Sequence, residues 1–164
     1  MLTSRWCLIT GAGGFVGRRL ATAIAAAGAS LIVCVDVRFG SDAPGVSEPT
    51  KLVQVRADIR SASELDAIFQ QHKPDVVFHV ASFGMSGPAQ LQEGVVRSIN
   101  VGGTQNLIDA CVKHACSALV YVSTYNVVFN GCTIVNGREA DWPVLPAEKH
   151  VDPCKSPFSV THTR

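Results

Sequence analysis

Thr10-Gly11-Ala12-Gly13-Gly14-Phe15-Val16-Gly17 is the stretch that decides the fold of this 164-residue chain. Gly11, Gly14 and Gly17 stand three apart, between an apolar run, Trp6 to Thr10, and a helix-compatible segment, Phe15 to Ala27. That is strand, tight turn and helix. In such a turn the first glycine reverses the chain, the second lets backbone approach a pyrophosphate, and the third lets the helix pack against its strand. The helix N-terminus adds unpaired N–H groups and a partial positive charge. Gly11, Gly14, Phe15, Val16 and Gly17 are therefore candidate cofactor-binding residues. The same triplet without a strand before it and a helix after it would be weak evidence.

The reading extends outward in both directions. Leu31 to Val35 is a continuous apolar run, as expected of a parallel strand covered on both faces. Asp36 ends it, roughly 20 residues beyond the glycines, where a carboxylate accepts hydrogen bonds from the adenosine ribose hydroxyls. This favours NAD, because a 2′-phosphate there would set two anions together; Arg38 keeps NADP open as the lesser option. Gly40 to Thr50, rich in Ser, Pro, Gly and Asp, reads as a loop. Leu52 to Val55 is a third strand, and Ala62 to Gln71 a helix with Ser61 or Ser63 as its N-cap. Asp75 to Ala81 is a fourth strand. Gln90 to His114 reads as one long helix, interrupted in propensity by Gly94 and by Gly102-Gly103, and Ala118 to Val122 is a fifth strand. Val127 to Phe129 and Thr133 to Val135 flank Asn130-Gly131, a small hairpin signal. Alternating strand and helix predicts an α/β chain with a Rossmann-type doubly wound parallel sheet of about five strands plus the hairpin. Residues 1–153 form the dinucleotide-binding domain in this reading, and 154–164 an irregular tail.

Composition excludes other classes. With 47% hydrophobic and 16% charged residues, the chain is neither a disordered tail nor a solvating linker. A net charge of +1 argues against nucleic-acid binding by electrostatics. Cys7, Cys34, Cys111, Cys116, Cys132 and Cys154 form no C-x-x-C pair and no zinc spacing, so no metal site is expected. Cys111 and Cys116, five apart, do not share a helix face, which argues against a disulfide between them. There is no N-x-S/T acceptor, no visible secretory leader, and the longest apolar stretch, Leu20 to Val35, divides at Gly28 into helix and strand. The expectation is a cytoplasmic, reducing setting.

Further motifs resemble one group. Thr10 to Gly17 matches the T-G-x-x-G-x-x-G form of the extended short-chain dehydrogenase/reductases. Asp58-Ile59-Arg60 resembles the segment whose Asp meets the adenine amine in that superfamily, which adds Asp58 and Ile59 to the cofactor-binding candidates. Phe78-His79-Val80-Ala81-Ser82 resembles its cofactor-lining fourth strand, adding Ala81. Asn100-Val101-Gly102-Gly103-Thr104 is similar to the N-V-x-G-T segment, and Tyr121-Val122-Ser123-Thr124 to the strand end that carries the catalytic hydroxyl. Phe78 to Gly87 together with Tyr125 to Phe129 resembles the 3β-hydroxysteroid dehydrogenase/isomerase branch, and within it short-chain dehydrogenase family 42E. The resemblance runs from about Trp6 to Asp152. It implies the N-terminal portion of such an enzyme, oxidising a secondary alcohol with NAD, on a steroid or other sterol-like lipid.

The same resemblance assigns the remaining roles. Thr124 is the match to the catalytic hydroxyl, with Ser123 its neighbour one register away. Asn100 orients water or supports the active-site backbone, or is simply a polar residue on a long helix. His79 reads as a core or loop-supporting histidine rather than an acid or base. The family's Tyr-x-x-x-Lys is missing: Tyr121 and Tyr125 are followed four places later by Tyr125 and Phe129. In register with His150-Val151-Asp152-Pro153, Cys154 and Phe158 occupy the Tyr and Lys positions. A neutral thiol is a poor stand-in for the phenol, and Phe158 supplies no cation. Departure from the pattern at Cys154 leads to the expectation of an alternative C-terminus. Three functional readings stay open: an oxidoreductase, a non-catalytic dinucleotide-binding module, and an unstable truncated product. Apolar faces left uncovered are expected to draw a partner or a second copy.

Overall fold

The computed structural model describes residues 2–41, 44–84 and 87–123. Its strands are β1 (Trp6–Thr10), β2 (Leu31–Asp36), β3 (Lys51–Arg56), β4 (Val76–His79) and β5 (Ala118–Tyr121). The helices are α1 (Phe15–Ala26), α2 (Ala62–His72), α3 (Glu93–Arg97) and α4 (Thr104–Lys113), with a 3₁₀ turn at Gly87–Leu91 and a π-helical segment at Ser98–Gly103. The hairpin, Thr124 and the tail lie outside the described residues.

The five strands form one parallel sheet in the order β3-β2-β1-β4-β5. The chain moves outward from β1 through β2 to β3, then returns to place β4 on the other side of β1. That reversal is the topological switch point of a Rossmann-type doubly wound sheet, as the strand and helix alternation predicts. The central strands are covered on both faces: Cys7, Leu8, Ile9 and Thr10 of β1 and Ile32 to Val35 of β2 are all buried. Successive side chains alternate between faces. Cys7, Ile9, Ile32 and Cys34 accordingly join Ala21 and Ile24 of α1 in one cluster, while Thr10 and His79 face α4 on the other side. β3 is an edge, with Lys51, Gln54 and Arg56 exposed.

Helix ends follow local chemistry. Ser61, not Ser63, caps α2, accepting the Glu64 N–H at 3.3 Å. Gly28 ends α1 with φ +91°, and Lys73, with φ +44° and Pro74 behind it, ends α2. The expected single helix from Gln90 to His114 is instead four pieces. Gln92 leaves the helical region at φ −87°, ψ +64°, and the Gly102-Gly103 pair coincides with the π-helical segment. Ile59 occupies the space where a side chain on Gly103 would sit, its Cδ1 2.5 Å from an ideal Cβ. The described residues fall into two compact units, one holding the sheet and the other residues 83–101 with Ser123.

Phe69 of α2 is fully buried and lies 5.6 Å from the His114 ring, whereas Val112 of α4 is 77% exposed. Phe69→Ala is expected to lower folding stability by about 3–5 kcal/mol and Val112→Ala by less than about 0.5 kcal/mol, read from urea midpoints at constant slope.

Candidate active site at the switch point

The carboxyl ends of β1, β2 and β4 bring the glycine turn, Asp36 and Ala81 to one side of the sheet. Gly11 adopts φ +71°, and a Cβ there would stand 2.6 Å from the Ala81 amide nitrogen. Both the dihedral and the closeness of β4's continuation demand glycine. Gly17 is buried in α1 with Ala12 Cα only 2.7 Å from where its Cβ would be, and with the Gly11 carbonyl closer still. The helix thus starts directly on the turn that precedes it.

Gly14 is different. Among the described residues its only close neighbour on the Cβ side is the Gly11 carbonyl at 3.3 Å, and Gly14, Phe15 and Val16 are exposed. No side chain caps α1 at Gly14, and its first turn contains no acidic residue. The first amides of the helix lack intrahelical acceptors, so this end suits an anionic group such as a pyrophosphate. Phe15, 69% exposed, has the Arg19 guanidinium 5.6 Å from its ring centre.

Asp36 is held by backbone. Its Oδ2 accepts the Gly13 N–H at 2.9 Å and its Oδ1 accepts the Arg38 N–H at 3.0 Å. A carboxylate oxygen has two lone pairs, so each retains one acceptor site for a ligand hydroxyl. The three-apart spacing does not single out Gly13, yet a Cβ on it would collide with the Arg38 carbonyl and stand 3.1 Å from Asp36 Oδ2. Only the run Gly13-Gly14 hinted at it, because its neighbour is more than twenty residues away in sequence.

Asp58 follows β3 and is clamped by Arg60, whose Nε donates to Oδ1 at 3.1 Å and to Oδ2 at 2.9 Å. These bonds hold its carboxyl below the usual carboxylate range. Ile59 is buried beside it, and the Asn106 side-chain amide donates to the carbonyls of Ile59 and Arg60 at 3.1 and 2.9 Å. Ala81 is half-buried, and its N–H donates to the Thr10 hydroxyl at 3.3 Å.

His79 is fully buried in β4. Its Nδ1 lies 2.6 Å from the Thr10 hydroxyl and its Nε2 2.8 Å from that of Thr104. Burial pushes its pKa down to about 4, so near neutrality one ring nitrogen donates and the other accepts. The imidazole ties β1, β4 and α4 together, the supporting role its sequence context suggests.

In the second unit Asn100, 4% exposed, makes a two-point contact with Phe83: Oδ1 accepts the Phe83 N–H and Nδ2 donates to the Phe83 carbonyl, both at 2.9 Å. It holds the loop backbone at Phe83. Ser123 is exposed, and Thr124 lies outside the described residues. Among the described residues no three His, Cys, Asp or Glu side chains gather into a metal-holding group, and no helix is long and apolar enough to cross a membrane.

Sheet order and glycine turn together define the Rossmann-type α/β class. Residues 8–154 match the model of the 3-beta hydroxysteroid dehydrogenase/isomerase family, and the chain belongs to that family. Short-chain dehydrogenase/reductase family 42E member 1 of Mus musculus is 42% identical over 146 residues, covering 88% of this chain and 36% of the relative. A 3beta-hydroxysteroid-dehydrogenase/decarboxylase isoform 2 of Arabidopsis thaliana is 36% identical over 149 residues, 84% of this chain and 25% of its own. The chain therefore spans about a third or less of these curated relatives. Among solved structures, the epimerase Mth375 of Methanothermobacter thermautotrophicus superposes with a TM-score of 0.78 at 22% identity, over 98% of this chain and 45% of that one. The UDP-glucose 4-epimerase of Thermus thermophilus, solved in complex with NAD, gives 0.75 at 22% identity, over 94% and 46%.

His79 makes stability depend on pH. The unfolded chain takes up the imidazole proton below about 6.5, the folded chain only below about 4, so the contribution is complete above 6.5 and is lost as pH falls through this window. Stability is expected to drop by about 3 kcal/mol from this group, and His79→Gln is expected to flatten most of that slope in urea titrations from pH 7 to pH 4.

Proposed function

We propose that residues 1–153 hold NAD at the switch point, as part of an oxidoreductase that acts on a secondary alcohol of a steroid or sterol-like substrate. The observation that carries this reading is the pairing of an α1 terminus that no described side chain caps with a carboxylate fixed by Gly13 and Arg38. Backbone N–H groups from Phe15 to Gly17 take the pyrophosphate, with Gly11 shaping the turn and accepting the Gly14 N–H, and with Gly14 leaving room for the phosphate's approach. Asp36 accepts from the ribose hydroxyls, Asp58 and Ile59 border the adenine, and Ala81 lines the wall. NAD, when bound, supplies a hydride acceptor. Asn100 holds the loop at Phe83, and the hydroxyl of Thr124 or Ser123 hydrogen-bonds the substrate oxygen.

The proton step has no evident carrier. Cys154 and Phe158 stand where the family pattern places Tyr and Lys, which favours the second reading for this chain: dinucleotide binding without turnover. The steroid assignment draws on the relatives' names, such as the hydroxysteroid dehydrogenase/decarboxylase of Arabidopsis thaliana.

Calorimetric titration with NAD⁺ and NADP⁺, alongside a hydride-transfer assay on 3β-hydroxysteroids, separates these parts. Saturable NAD⁺ binding is expected, with NADP⁺ weaker by about tenfold or more, a gap of about 1.4 kcal/mol. Asp36→Ala is expected to remove it while the chain stays folded by circular dichroism, and no turnover is expected. Turnover would overturn the loss of catalysis; a folded chain that ignores NAD⁺ would overturn the site.

A further inference from the structure

α4 ends in a turn that brings two cysteines together. The Cys116 N–H donates to the Cys111 carbonyl at 2.9 Å and the Ala115 N–H to the Val112 carbonyl at 3.2 Å, with Ala115 at φ +54°. This is the Schellman arrangement, in which the side chains of the first and last residues meet, usually as an apolar contact. Here both are thiols. The helix-face argument from their spacing fails because Cys116 lies beyond the helix, where the left-handed Ala115 folds the chain back. The motif sets the Cys111 and Cys116 side chains side by side, and the Cys116 thiol donates to the Pro74 carbonyl at 3.1 Å. Cys111 is 7% exposed and Cys116 is half-buried, so the second is the one a reagent reaches first.

We infer that Cys111 and Cys116 are a dithiol modification site, closing to an intramolecular disulfide across the end of α4 when a low-molecular-weight disulfide such as glutathione disulfide is the oxidant. The Cys116 thiolate attacks one sulfur of glutathione disulfide, forming the mixed disulfide and releasing one glutathione. Cys111 then loses its proton to solvent and attacks Cys116 Sγ, releasing the second glutathione. Two protein thiols are oxidised and one glutathione disulfide is reduced to two glutathiones. Burial raises both thiol pKa values, that of Cys111 to about 12, so exchange is slow and calls for long equilibration at mildly alkaline pH.

Lys113 lies between the two cysteines, so trypsin separates them into Ser98–Lys113 and His114–Arg138. The full-length chain, equilibrated with glutathione disulfide under native conditions, alkylated and digested, is expected to yield these two peptides joined by a disulfide. Cys132→Ser, which removes the other thiol of the second peptide, is expected to leave the linked pair intact. Cys116→Ser is expected to leave Cys111 reduced, and Cys111→Ser to stop the reaction at the Cys116 mixed disulfide. Full alkylation of both thiols, a stable mixed disulfide at Cys116 in the unmutated chain, or loss of the linked pair in Cys132→Ser would overturn the inference.

Discussion

The fold depends on one close approach of backbone to backbone. At Gly11 the chain leaves β1 with a positive φ and passes so near the Ala81 amide that no side chain fits between them. Gly17, one turn into α1, sits against the same residue's carbonyl. These contacts bind the exit of β1, the continuation of β4 and the start of α1 into a single knot. The crevice beside the switch point follows from it, because a helix packed that tightly onto its strand must present its first amides above the carboxyl ends of the sheet. A methyl group at either position would separate the three elements.

Two polar networks surround the knot, and they differ in kind. Buried Thr10 and His79 and half-buried Thr104 form a chain in which both imidazole nitrogens have hydroxyl partners. It orients β1, β4 and α4, and the depressed pKa of His79 suits it to that role rather than to proton transfer near neutrality. Asp36 lies at the rim. Two backbone amides fix its rotamer and leave acceptor capacity over, which is the arrangement a ligand-binding carboxylate needs. Asp58 differs again, with much of its capacity engaged by Arg60.

Much of this was legible in the sequence for local reasons. β1 and β2 are continuous apolar runs because parallel central strands are buried on both faces, and Gly28 marks a helix end by its permitted dihedral. What escaped was nonlocal. The sequence from Gln90 to His114 reads as one helix through weak spots whose outcome depends on the dihedral at Gln92 and on Ile59 beside Gly103. Gly13 mattered only because Arg38 folds over it. Asp58, Ala81 and Asn100 carry no local signal of their own and stand out only through the family motifs.

We place the dinucleotide at the glycine turn, not on the outer face of α2 and α4, where Asp66, Asp109 and Lys113 line a hollow. Amide chemical-shift mapping by NMR during an NAD⁺ titration tests it most directly. The largest changes should fall on Gly13, Gly14, Phe15 and Val16 and on the amide of Arg38, with Asp66, Asp109 and Lys113 unmoved. Shifts concentrated on the α2 and α4 surface, with the glycine amides unchanged, would contradict the account.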